Sequence, residues 1–241
     1  MPIKVIHIAN VKSASANPGV RQQMEWEKRA SQISGLDLEV ELWSLDESYP
    51  GSVLRQIPSA YSSFLGRRLH LYRRVRKAAG THEVIIVRHT PVDPFGMFLG
   101  QNVRAKTWYV FHTLTYYYLR TRGHMFGRVL SWSDRLFMRL TIGKSAGIIG
   151  VTDEIVEHEK KRLGLTFQKT YVYPNGLHLG DWNQPLTDSR GGDLKVIFIA
   201  SQFFEWNGLE KILLSIKEFD GHPNWELHLV GRLLPHQEAF I

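Results

Sequence analysis

Residues 195–200 read KVIFIA and residues 225–232 read WELHLVGR, with the run LEKILLSIK at 209–217 between them. Two apolar runs flanking one helical run are what a strand, a crossover helix and a parallel strand require. Parallel strands are buried on both faces, and the return path takes about a dozen residues or more. The turn Trp206-Asn207-Gly208 leads into the helix. This unit is the start of a doubly wound sheet. Few residues follow Arg232, so the sheet is expected to be incomplete in this chain, whereas the residues before it read as a finished α/β domain.

Upstream, strands and helices alternate from the beginning. Residues 5–8 form an apolar strand. Lys4 and His7 interrupt its hydrophobicity and no small-residue cleavage site follows, which favours a core strand over a signal peptide. A loop rich in Ser, Asn, Pro and Gly leads to Gly19, which opens a helix with Trp26, Ala30 and Ile33 at helical spacing. Residues 38–43 (LEVELW) alternate as a strand does. Residues 64–79 form a strongly basic helix, 83–87 a strand, 94–99 a short helix, and 107–111 (TWYVF) a strand running into His112-Thr113.

An aromatic and basic loop spans residues 116–124. In the helix over 126–140 the apolar residues 126, 129, 130, 133 or 136, 137 and 140 approximate one face. Residues 146–151 (AGIIGV) form a buried strand. Thr152 is an N-cap, Asp153 and Glu154 suit the positive end of the following helix, and Lys160, Lys161, Arg162 and Gly164 close it. Residues 170–173 form a strand before Pro174-Asn175-Gly176. The expected division is a Rossmann-like domain over residues 1–183, a linker over 184–193, and the start of a second such domain over 194–241.

Hydrophobic residues make up 43% of the 241 and charged residues 22%, as in an ordinary globular protein. No apolar run approaches the roughly 18 residues needed to cross a bilayer. The absence of cysteine excludes disulfides and thiolate metal sites and is compatible with the cytoplasm. The net charge of +7 points to acidic partners: nucleic acid, anionic lipid or a phosphorylated small molecule.

Three features carry candidate chemistry. The turn Asn17-Pro18-Gly19-Val20-Arg21 lies where a first strand hands over to a first helix. A glycine there admits a ligand close to helix N-terminal amides, and Arg21 adds charge; a plain turn glycine with a surface arginine reads equally well. His112 and Thr113 follow a strand at the sheet edge where ligands sit. A neutral imidazole there can bond a sugar hydroxyl or a carbonyl, or it can be structural. The adjacent Tyr116-Tyr117-Tyr118 makes an acceptor platform or simple packing.

The basic helix carries Arg67, Arg68, Arg73, Arg74, Arg76 and Lys77. Leu71, Tyr72, Val75 and Ala78 share its other face, with Arg68 among them. An anionic membrane surface fits this pattern, each cation near it adding about 1 kcal/mol; a solvated face or nucleic-acid contact fits it too. Gly143-Lys144-Ser145 fails as a phosphate loop because Met138 stands where the upstream glycine is needed. No Asp-x-Asp pair after a strand and no histidine pair at helical spacing is present, so no dedicated metal site is expected.

In their order and spacing, Gly19, Phe111-His112-Thr113, AGIIGVTDEI (146–155), VYPNG (172–176), FIAS (198–201), WNGLEK (206–211) and LHLVG (227–231) resemble the retaining family 4 glycosyltransferases of GT-B fold. The similarity runs over nearly the whole chain. It implies a nucleotide-sugar donor held between two Rossmann-like lobes, with the acceptor on the N-terminal lobe. The family's glycine-loop role falls on Gly19 near the donor phosphates, with Arg21 beside it, and the histidine that contacts the transferred sugar is His112. The family's diphosphate-binding lysine position is Asn207, leaving Lys211 as the nearest substitute, and Ser201-Gln202 stand where an arginine is usual. Arg88, Thr113 and Tyr116 are the acceptor-side candidates.

The family's carboxylate-rich donor motif lies beyond Ile241. The resemblance therefore implies an incomplete chain, inactive by itself. The reaction implied is sugar transfer to a glycan or lipid-linked acceptor in cell-surface polysaccharide or glycolipid synthesis. No cofactor or metal and no nucleic-acid partner is expected, and the place is the cytoplasm, peripheral on the inner face of the plasma membrane. The alternatives are a non-catalytic membrane- or glycan-binding remnant and a nucleotide-sugar epimerase. The epimerase needs acid/base groups, whereas Asp93, Asp153 and Glu154 stand at turns and caps.

Overall fold

The computed structural model describes residues 3–46, 48, 51–114, 124–166, 169–174, 194–203, 208–218, 225–233 and 237. Two compact units divide the chain, Met1–Asp181 and Trp182–Ile241.

The first unit is built on a seven-stranded sheet in the order β3-β2-β1-β4-β5-β6-β7, every pairing parallel. Its strands are β1 (Val5–Asn10), β2 (Leu38–Ser44), β3 (Leu54–Gln56), β4 (Val84–Arg88), β5 (Thr107–Phe111), β6 (Gly147–Gly150) and β7 (Lys169–Val172). The order reverses between β1 and β4, which opens a crevice at their carboxyl ends, the usual ligand position in such sheets.

Ile6, Ile8, Ile85, Val87, Tyr109, Phe111 and Ile148 point to one face of the sheet, and Leu71, Val75, Met138, Ile142, Ile155 and Leu163 pack with them. Those partners come from helices α2 (Phe64–Ala78), α4 (His124–Ile142) and α5 (Asp153–Leu163). A short helix α3 (Gln101–Arg104) precedes β5. On the other face α1 (Pro18–Ser34) covers β1 and β2 through Met24 against Ala9, Val40 and Leu42.

Local chemistry sets the helix ends. Ser63 accepts the Gly66 amide at 3.0 Å to start α2, Thr152 accepts the Ile155 amide to start α5, and left-handed Gly35 and Gly164 end α1 and α5. Where β5, β6 and β7 meet, a Cβ on Gly147 would lie 2.2 Å from the Lys169 carbonyl oxygen and 2.4 Å from the Trp108 ring, so only glycine fits.

Two helices face differently from the sequence expectation. In α1 the buried positions are Met24, Glu27 and Ser31, while Ile33 is 81% exposed. The sheet face beneath carries His7, so polar side chains are what the helix must offer it. In α4 much of the expected apolar face turns outward: Phe126, Val129, Leu136 and Leu140 are exposed and Leu130 and Phe137 half-buried, while Asp134, Met138, Thr141 and Ile142 are buried.

The second unit pairs β8 (Leu194–Gln202) with β9 (Trp225–Arg232) in parallel, joined through helix α6 (Leu209–Glu218). These strands form their own two-stranded sheet and do not extend the first one. Gly231, at φ 155°, lets β9 pass where a Cβ would meet the Ala200 carbonyl oxygen at 1.9 Å.

Candidate active site

The crevice between β1 and β4 is a cavity of about 260 Å³ lined by Asn10, Lys12, Asn17, Arg67, Arg68 and Thr90, with Val11, Phe64 and Leu71. Asn10, the last residue of β1, donates to the Arg67 carbonyl at 2.7 Å and ties the strand end to the start of α2. Arg67 donates to the Ser62 carbonyl, and burial together with neighbouring Arg68 lowers its pKa. A cavity with Lys12 and Arg67 in its wall suits an anion. Gly19, one residue into α1, has open space where its side chain would be.

On the α1 side of the sheet a polar cluster sits below the strand ends. His7 Nδ1 lies 2.5 Å from Glu27 Oε2, both groups buried. Gln23 donates to Glu27 and accepts from Arg88 at 3.2 Å. Arg88 ends β4 and pairs in register with Val110, so His112, two residues past Val110, projects from the same face.

Burial lowers the Arg88 guanidinium to about 10, partly offset by Glu27. Burial, then Arg88 and His7, push the His112 imidazole down to about 3. His112 is therefore neutral at physiological pH, and its Nε2 and that of His7 are buried without a hydrogen-bond partner among the described residues. A neutral imidazole with a free nitrogen beside a half-buried cation can bond a hydroxyl and stabilise negative charge.

The loop leaving β4 is fastened on the opposite face. Arg68 pairs with Asp93 at 3.1 Å and donates to the Pro91 carbonyl; Asp134 pairs with Arg162 at 2.9 Å, and Arg162 also holds Glu159 at 2.7 Å. His89 Nε2 lies 3.5 Å from Asp134, and its ring stacks on Phe111. Asp93 is a buried ion-pair partner whose carboxyl burial raises, and it also accepts the Phe95 amide.

The structure thus brings Arg88 and His112 to one face of the sheet and leaves Gly19 open at the start of α1. Thr113 is exposed beside His112. Arg21 lies on the outer side of α1, paired with Glu25 at 3.2 Å. Lys211 is exposed in the first turn of α6, in the second unit. Tyr116, Asn207 and the 184–193 segment lie outside the described residues.

Of the basic residues on α2, Arg67 lines the cavity. Arg74 binds Glu41 at 2.7 Å and Glu39, Arg73 stacks on and bonds Tyr61, and Arg76 donates to the Phe98 carbonyl, while Lys77 is exposed. Sequence reasoning missed His7, Glu27, Gln23, Asn10, Lys12 and Thr90. The signal for the first three was a strand histidine facing a helix with Gln and Glu at a spacing of four. Among the described residues no three His, Cys, Asp or Glu side chains converge on a metal position.

Two solved structures are similar in fold. The Anabaena protein Alr3699/HepE, in complex with UDP and glucose, matches with a TM-score of 0.57 at 12% identity over 99% of this chain. Sucrose-phosphate synthase from Thermosynechococcus elongatus matches with a TM-score of 0.55 at 14% identity over 97% of it. The chain spans 63% of the length of each. No family model matches the chain, and no curated protein matches it. The α/β architecture expected of a GT-B-like lobe is the one found.

Proposed function

We propose that the protein is a retaining glycosyltransferase that moves a sugar from a nucleotide-sugar donor to a glycan or lipid-linked acceptor in cell-surface polysaccharide or glycolipid synthesis. The observation that carries this reading is the buried His112 with its free Nε2 beside Arg88 at the carboxyl edge of the sheet, together with a cationic cavity at the ends of β1 and β4, on a fold shared with a protein solved in complex with UDP and glucose. A lipid-linked acceptor would be met at the cytoplasmic face of an anionic membrane, which the net charge of +7 favours.

In this reading His112 bonds a hydroxyl of the transferred sugar through its free nitrogen and orients the anomeric carbon. Gly19 lets the donor phosphates approach the start of α1, where amides and Lys12 offset their charge. Arg88, beside His112, belongs with the acceptor side, where its fixed positive charge orients the attacking hydroxyl. Thr113 and Tyr116 belong to the acceptor side, and Asn207 and Lys211 to the donor side of the second unit.

Calorimetric titration with UDP, GDP, ADP and the matching nucleosides tests the reading, on protein purified from its own cells. One diphosphate is expected to bind, with its nucleoside at least about tenfold weaker because the phosphates carry the contact. No binding by any of them would overturn it.

A further inference from the structure

Helix α4 buries one face in the first unit, and its opposite face is apolar and exposed. Its inward face holds Asp134, Met138, Thr141 and Ile142. At roughly 100° per residue the opposite face collects Met125, Val129, Trp132, Leu136 and Leu140, with Phe126 at its border. All six are exposed, Met125 to 83% and Trp132 to 66%. A continuous apolar stripe on a surface helix marks a contact with something.

Charge decides what that is. Arg128, Arg135 and Arg139 follow one border of the stripe and are exposed. The only acid of the helix, Asp134, is buried against Arg162. Phe98, on the turn against which α4 packs, is also exposed. Antiparallel stripe-to-stripe pairing of two copies would bring two rows of arginine together, which is unfavourable. An anionic bilayer instead offers an apolar interior to the stripe and phosphates to the arginines. Among the described residues no helix is long and apolar enough to cross a membrane.

We propose that α4 is an interfacial docking helix that lies in the plane of an anionic bilayer, its Trp132 face immersed and its arginines at the headgroups. This surface stands on α4 alone and does not depend on the sugar-transfer reading. It also differs from the basic face of α2 expected from the sequence, where Arg73, Arg74 and Arg76 have protein partners.

Vesicle flotation of the whole chain tests it, with phosphatidylcholine alone and with equal parts phosphatidylcholine and phosphatidylglycerol. The protein is expected to float with the anionic vesicles and to be released as added salt screens the headgroups. Val129→Ser/Trp132→Ser/Leu136→Ser, at exposed positions, should lower partitioning at least about tenfold by removing buried apolar area. Arg135→Glu/Arg139→Glu should abolish the preference for anionic vesicles, while Arg73→Glu/Arg76→Glu/Lys77→Glu should bind as the wild type does. Three results would overturn the proposal. One is undiminished flotation of either α4 variant. Another is loss of binding in the α2 variant alone. The third is a wild-type chain that ignores vesicles and sediments as a dimer split by the serine variant.

Discussion

The Oδ1 of Asp134 accepts the backbone N–H of Val92 at 2.7 Å, joining the middle of α4 to the loop that leaves β4 four residues after Arg88. Val92 has φ 57°, a left-handed conformation costly for a β-branched residue, so this bond holds a strained turn. The loop shapes the wall of the cavity through Thr90. Helix packing on one side of the sheet thereby sets the edge of the crevice.

Asp134→Asn should cost about 1–3 kcal/mol, because Arg162 keeps Glu159 but loses one of its two buried partner charges. The check is the urea midpoint, which should fall with the slope unchanged. Burial alone would raise the Asp134 carboxyl, yet His89, Arg162 and the Val92 amide hold it below the ordinary value. Its stabilisation is complete above the unfolded carboxylate pKa and is lost as pH falls through the folded one. The Asn variant should lack that acid component; an identical acid limb in both proteins would refute the role.

His112 should stay neutral in a pH titration followed by imidazole NMR, its signals flat from about pH 5 to about pH 8. The unfolded state takes up a proton near 6.5, whereas the folded one waits until about 3. His112 therefore weakens the fold as pH falls between those values, and His112→Gln should show a shallower acid decline. Arg88→Met removes a positive neighbour and should raise the midpoint. A His112 midpoint near 6.5 in the wild type would contradict the described burial.

Gly147→Ala forces a methyl group against the Lys169 carbonyl and the Trp108 ring and should cost about 1–3 kcal/mol, read as a lower Tm. Gly19→Ala meets open space and should leave stability within about 0.5 kcal/mol. If donor phosphates approach the backbone at Gly19, that second variant should still weaken nucleotide binding. Unchanged nucleotide affinity would remove Gly19 from the site.

The strands over 5–8, 107–111 and 146–151 were legible because burial on both faces of a parallel sheet writes itself as an unbroken apolar run. β3 was not: Leu54–Gln56 is three residues long, and Arg55 and Gln56 carry no such signature. The facing of α1 and α4 was misread for one reason in two forms. Periodicity shows that a helix has an apolar stripe but not whether the stripe meets the sheet, and Ile33 and Val129 both turn outward. Arg88 and His112 were legible as residues at strand ends. The pairing of His7 with Glu27 was not, since it exists only once α1 lies across β1.

Transfer of radiolabelled sugar is the most direct test of the central claim, with the protein purified from its own cells and supplied with a panel of nucleotide-sugars and a lipid and glycan extract. The expected result is a labelled product whose rate of formation falls about a hundredfold in His112→Ala, with little change in KM for the donor. Absence of labelled product with every donor, or transfer that His112→Ala leaves untouched, would contradict the account.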